Sequence, residues 1–180
     1  GTLKGLDLSL LTLFILNGIG ILFSQPFTYI YERTFGLVSD VSLLELSDTN
    51  SSLLRQLSEK APGTFQHSMQ VANLAEAAAA EIGANTLLVR VGALYHDIGK
   101  MQNPLYFIEN QKTSLNPHDQ LTPLQSAKVI IKHVADGIEL ARKHKLPERL
   151  IDFIRTHHGR SLTYYFYRKE LDTNPNAKEE

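Results

Sequence analysis

Apolar positions fall in two regimes along the chain. From Leu8 to Tyr31, "LSLLTLFILNGIGILFSQPFTYIY" carries no charge and is apolar on every side, with Asp7 and Glu32 bracketing it. As a helix this stretch would run about 36 Å, enough to cross a hydrocarbon core. Gly18 and Gly20 are tolerated in membrane helices, and Tyr29 and Tyr31 suit an interfacial belt. A secretory signal would need a basic leading region and a small-residue cleavage site, and neither is present. Asn17, Gln25 and Pro26 speak for a buried core helix, but length and lack of charge favour a membrane helix. Residues 1–31 are therefore expected to form a transmembrane or hydrophobic helix. The chain starts at Gly1 rather than Met, and further membrane helices are expected upstream.

Beyond Glu32 the pattern becomes helical and amphipathic. Residues 32–62 look like a connector with two short apolar pieces, Leu43, Leu44, Leu46 and then Leu53, Leu54, Leu57, separated by the turn-forming Asp48 to Ser51 and ended by Pro62-Gly63. Residues 63–180 read as helix after helix. Thr64 is the expected N-cap of "FQHSMQVANLAEAAAAEIG", which Gly83 closes, and Asn85 caps "TLLVRVGALYHDIG". A loop rich in Asn, Pro and aromatics follows, then a helix opened by Thr122-Pro123 and another opened by Pro147. No useful length alternates with the period of a strand, so the fold class is all-α.

Composition narrows the chemistry. A net charge of −1 leaves no footprint for a nucleic-acid polymer. Cysteine is absent, so a transition metal would have to be held by His and carboxylate.

The seven histidines carry the strongest signal. His67 shares a stripe with Val71, Leu74 and Ala78, which is expected to face the core. His96 follows Val89, Gly92 and Ala93; His133 is stacked with Ser126, Val129, Ile130 and Gly137; His157 and His158 follow Ile154 by three and four. Any one alone would be an ordinary hydrogen-bonded core histidine. Five on inward faces would need many partners, and a shared metal centre satisfies them together. Asp97 has two oxygens and can bridge two cations. Two metals would activate a water and clamp a phosphoryl group. Lys100 would neutralise a phosphate oxygen, or is a helix-end lysine favoured by the dipole; position does not separate these. His118 and His144 read as solvated, although His118 with Tyr106, Phe107 and Asn110 can reach a nucleobase if the loop folds over the site; packing of a long connection explains them equally well.

The residues "PGTFQHS…YHDIGK…NPLYFIENQ…NPHDQLTP…H…HHG", from Pro62 to Tyr167, resemble the HD superfamily of metal-dependent phosphohydrolases. Within it the chain is similar to the HD domain of the bacterial seven-transmembrane HD proteins, which hydrolyse cyclic di-AMP to linear pApA. The resemblance implies an HD-domain helical bundle with one metal held by His67, His96 and Asp97 and a second by His133, His157 and His158, bridged by Asp97. It implies Fe or Mn. From the residues themselves, Asp97 and Lys100 are the expected catalytic groups, and Lys100, Tyr106, Asn110 and His118 the expected substrate contacts. The resemblance also implies an inner-membrane protein with a cytoplasmic HD domain.

One departure bears on the first metal. The family supplies a further Asp from a helix beyond the His-His pair, whereas this sequence stops at Glu180 and Asp172 lies in a polar tail. Either the sequence is truncated or the first site is built differently; for a truncated chain the expectation is a weakly loaded His67/His96 site, impaired hydrolysis, and exposed apolar surface that favours a homodimer. The alternatives are an HD hydrolase of another nucleotide and a membrane-tethered nucleotide sensor without turnover. The "GYP" signature of cyclic di-GMP enzymes is absent.

Overall fold

A computed structural model describes residues 8–113 and 115–174, with the backbone alone at residues 25, 33 and 173. Among the described residues the regular structure is entirely helical. The chain divides into two compact units, Gly1–Ser39 and Asp40–Glu180.

The first unit is α1, Leu8–Phe35. Its stretch Leu8–Glu32 is long and apolar enough to cross a bilayer. Side-chain hydroxyls along it return to the backbone, Thr12 to Leu8 at 2.8 Å and Thr28 to Ser24 at 3.0 Å, so they need no water. Pro26 lies inside the helix and lacks the N–H that would pair with the turn before it.

The second unit begins with α2, Asp40–Ser47, and α3, Ser52–Lys60. Leu43, Leu53, Leu54 and Leu57 are buried, so this stretch contributes to the core of the unit. The buried Tyr95 hydroxyl fastens both helices, donating to Leu46 O at 3.0 Å and lying 3.2 Å from Ser51 Oγ.

Next come α4, Pro62–Glu81, and α5, Thr86–Tyr95. α4 starts at Pro62, with Ala61 at its cap, rather than at Thr64. Pro suits that first position because its missing N–H would be unpaired there anyway. The connection between α4 and α5 is short: Gly83 takes φ 68°, and Asn85 caps α5 by accepting from Leu88 N at 2.8 Å.

The buried face of α4 is Thr64, Ser68, Ala72 and Ala79. The expected stripe lies outside it: His67 is exposed, and Leu74 is 73% exposed. Small residues let α4 approach α5 closely, so the bulkier row rotates outward. Helical spacing alone does not tell these two rows apart.

α5 drives into the interior, with Val91 to Tyr95 all buried. A chain of four short 3-10 turns follows, the first being Ile98–Gln102 and the last Pro117–Gln120. α6, Pro123–Lys143, opens on a reciprocal capping box between Thr122 and Gln125. Its buried row is Ser126, His133, Gly137 and Ala141. α7, Glu148–Thr156, buries Leu150, Ile151 and Ile154. α8, Tyr164–Thr173, packs on α6 and contains Asp172, which is therefore helical and exposed rather than in an irregular tail.

Two glycine contacts set the interior distances. A Cβ on Gly99 would lie 1.8 Å from His133 O, and one on Gly92 would lie 2.4 Å from the Phe153 ring. The first brings the turn after Asp97 against the backbone of α6; the second seats α7 against α5. Gly99→Ala is expected to destabilise the unit by about 1–3 kcal/mol or more, because the obstacle is backbone and not a flexible side chain. Urea denaturation checks this, and an unshifted midpoint would contradict it.

Candidate metal centre

The buried end of α5 delivers His96 and Asp97 to the middle of the unit. His96 is the last residue with helical backbone, at φ −55° and ψ −34°, while Asp97 has left the helix at φ −109° and ψ 15°. That change of direction lets two neighbours in sequence face one space. Asp97 is 2% exposed and His96 9%.

The two carboxylate oxygens of Asp97 face different sets of groups. Oδ2 lies 3.1 Å from His96 Nε2 and 2.7 Å from Lys100 Nζ. Oδ1 lies 3.3 Å from His133 Nε2 and 3.4 Å from His157 Nε2, yet it takes part in no hydrogen bond. His158 Nε2 lies 3.2 Å from His133 Nε2, and His133 and His157 bring their Nε2 atoms within 3.3 Å. The His67 ring is 5.7 Å from that of His96, centre to centre.

The protons of this cluster are fixed from behind. Nδ1 of His96 meets Ala93 O at 2.7 Å, that of His157 meets Ile154 O at 2.9 Å, and that of His133 meets Ile130 O. A carbonyl only accepts, so each Nδ1 carries the hydrogen and each neutral ring presents a bare Nε2 lone pair. His133 and His157 thus aim lone pairs at each other and at an orphaned carboxylate oxygen. A cation placed among them satisfies all three.

Among the described residues two groups have donor atoms mutually within 4.8 Å: His67, His96 and Asp97; and Asp97, His133, His157 and His158. The donor set of imidazole and carboxylate fits Fe, Mn or Zn. Asp172 belongs to neither group.

Burial by itself would raise the Asp97 carboxyl, but the rings of His133, His157 and His96, wherever they also carry a proton on Nε2, outweigh it and hold the group far below the usual carboxylate range. Burial would lower His96, and Asp97 overcomes that, raising it. Burial, then the neighbouring His157 and His133, pushes His158 down to about 4, so it stays a neutral donor.

The remaining expected site residues lie in or against the 3-10 turns. Lys100 does not stand free at a helix end: it pairs with Asp97 and with Glu109 Oε1 at 2.9 Å. Asn110 is buried, its Oδ1 accepting from Thr64 N at 3.1 Å and its Nδ2 donating to Thr64 Oγ1 at 2.8 Å. His118, read from sequence as solvated, is instead buried. Its Nε2 meets Tyr106 O at 2.9 Å and its ring packs on Tyr106 and Phe166. Phe107 sits edge-on to His133. Glu109 and Thr64 are the participants that spacing did not single out; a loop glutamate and a helical threonine carry no periodic signal.

The sequence model of the HD domain matches residues 64–180, and the chain belongs to that family. It is 52% identical over 150 residues, 83% of this chain and 21% of the relative, to the cyclic-di-AMP phosphodiesterase PgpH of Listeria monocytogenes serotype 1/2a (strain 10403S). It is 45% identical over 183 residues, 99% of this chain and 25% of the relative, to the cyclic-di-AMP phosphodiesterase PgpH of Bacillus subtilis (strain 168). The chain thus spans a quarter or less of these relatives' length. The crystal structure of the L. monocytogenes PgpH HD domain in complex with cyclic-di-AMP matches with a TM-score of 0.71 and 54% identity, over 73% of this chain and 62% of that one.

Because Asp97 belongs to both groups, Asp97→Asn is expected to lower metal content at both, whereas His67→Ala and His158→Ala each lower it at one. Mass-spectrometric metal analysis of the three variants checks this. Equal losses for all three would contradict two groups joined at one carboxylate.

Proposed function

We propose that this chain is the catalytic domain of a metal-dependent phosphodiesterase that hydrolyses cyclic di-AMP to pApA. The observation that carries the reading is the division of Asp97, with Oδ2 turned to His96 and Oδ1 to His133 and His157. That is the disposition a bridging carboxylate needs between two ions. The likeness to PgpH proteins, one of them crystallised with cyclic-di-AMP, supplies the substrate class.

In this reading His67, His96 and Asp97 would hold one divalent ion, and Asp97, His133, His157 and His158 the other, with Fe or Mn as the metals. Such a pair supplies an activated water and a clamp for phosphoryl oxygens in an in-line displacement. The chain's own residues supply the rest. The Nδ1 hydrogen bonds of His96, His133 and His157 hold three rings in one tautomer and one orientation. Lys100 offers a largely buried ammonium beside Asp97, where charge would develop on a phosphate oxygen. Tyr106, Asn110 and His118 shape the loop beside that space, with Asn110 and His118 acting through their bonds to Thr64 and Tyr106. One water is added across one phosphodiester bond for each turnover.

The same reading places α1 in the cell inner membrane with the HD domain on the cytoplasmic side. It also allows a homodimer through the apolar residues left at the surface, among them Leu74, Ile82 and Ile131.

The test is metal content and cyclic di-AMP turnover on one anaerobically purified sample. The expected result is about two metals per chain with pApA formed, and loss of turnover on chelation that added Mn2+ restores. Metal with faster turnover of another nucleotide would move the reading to a different HD hydrolase. Nucleotide binding without turnover in the loaded protein would make it a sensor.

A further inference from the structure

One acidic side chain ties the loop after Asn103 back to the metal centre. Glu109 Oε1 accepts from Lys100 Nζ at 2.9 Å and from Thr64 Oγ1 at 3.1 Å. Lys100 in turn lies 2.7 Å from Asp97 Oδ2, the oxygen that His96 Nε2 approaches at 3.1 Å. We infer that Glu109 is a positioning residue that keeps Lys100 paired when Asp97 Oδ2 takes up a cation. The inference rests on the reading that His67, His96 and Asp97 hold a divalent metal, and deepens it.

The reason is charge balance at a nearly buried ammonium. The Lys100 side chain is 13% exposed, and an unpaired charge there is costly. In the metal-free protein Asp97 supplies part of the counter-charge. A divalent ion held by the first group takes over that carboxylate and repels the ammonium beside it. Glu109 is the second carboxylate in contact with Nζ, and Lys100 keeps it ionised against the pull of burial.

Without Glu109 the incoming ion must either compete with Lys100 for Oδ2 or leave it unpaired. Both weaken the first group. Lys100 pairs with Oδ2, whereas the Oδ1 side faces His133 and His157 and is spared.

Glu109 is also firmly seated. Its neighbour Asn110 caps the first turn of α4 through Thr64, one turn ahead of His67. A Cβ on Gly63 would lie 1.8 Å from Glu109 O, so only glycine there admits this approach. The carboxylate that faces Lys100 is thus fixed to the helix that carries His67.

The test is Mn2+ titration of the whole 180-residue chain, followed by calorimetry and electron paramagnetic resonance. The proteins are wild type, Glu109→Gln, Glu109→Asp, Lys100→Met and the Lys100→Met/Glu109→Gln double variant. Glu109→Gln is expected to weaken the weaker class of sites by about 10- to 100-fold and to leave the tighter class unchanged. Glu109→Asp is expected to recover most of the loss. In the Lys100→Met background Glu109→Gln is expected to change affinity by less than about twofold, because the effect runs through the lysine. Gln keeps an acceptor for Thr64, so the melting temperature should move little. Wild-type affinity in Glu109→Gln, an equal loss in the Lys100→Met background, or equal weakening of both classes would each overturn the inference while the metal reading stands. A wild-type chain that binds no Mn2+ would remove the metal reading, and this inference with it.

Discussion

The structure turns on one buried carboxylate that the protein by itself leaves incompletely satisfied. Asp97 Oδ1 sits in the interior, close to two imidazole nitrogens and bonded to neither. Buried polar atoms without partners are rare because desolvation is not repaid. Here the deficit is reinforced, since backbone carbonyls occupy the Nδ1 protons of the facing rings and leave only lone pairs towards the acid. A fold optimised only for stability would put a donor there. The arrangement makes sense as a site shaped for a positive ion, in which the ion completes the hydrogen-bonding deficit of the interior.

Helix geometry alone would not bring these groups together, because His96 and Asp97 are adjacent in sequence and point apart on a regular helix. The end of α5 supplies the turn, and Gly99 supplies the approach. With no side chain at Gly99, the 3-10 turn after Asp97 lies directly on the backbone of α6 at His133 and Gly137. The separation of the carboxylate from His133 is therefore set by a backbone contact at Gly99, which is stiffer than one made by flexible side chains. Gly92 makes room for the Phe153 ring of α7, and the turn that follows that helix carries His157 and His158. Two glycines thus set the separation of three helices around one acid.

Much of this was legible in the sequence, for identifiable reasons. The caps at Asn85 and Thr122 and the stop at Gly83 follow from side-chain chemistry within a few residues, and they stand where they were expected. The row Ser126, His133, Gly137 was readable because α6 is long and strongly amphipathic. The face of α4 was not. Ala is frequent on every side of that helix, so the choice between the His67 row and the Ser68 row depends on how closely α5 packs. The start at Pro62 was missed because a proline reads equally as the end of α3 and the opening of α4. The burial of His118 depends on Phe166, nearly fifty residues away, and on Tyr106 O, which no local pattern encodes.

The two halves of the site are built to different standards, and this has a consequence for how they bind. His133 comes from the middle of α6, His157 and His158 from the turn that ends α7, and two of the three have their Nδ1 atoms tied to backbone carbonyls. Their geometry exists before any ion arrives, so little ordering is left for binding to bring about. The other half relies on His67, which is exposed, and on an Asp97 oxygen already engaged by Lys100. An ion entering there must displace an ammonium contact and fix a solvent-facing ring. In the proposed reading the same carboxylate would serve one preorganised half and one contested half, and the difference would lie in the exposed His67 ring and in the Lys100–Glu109 pair beside Oδ2.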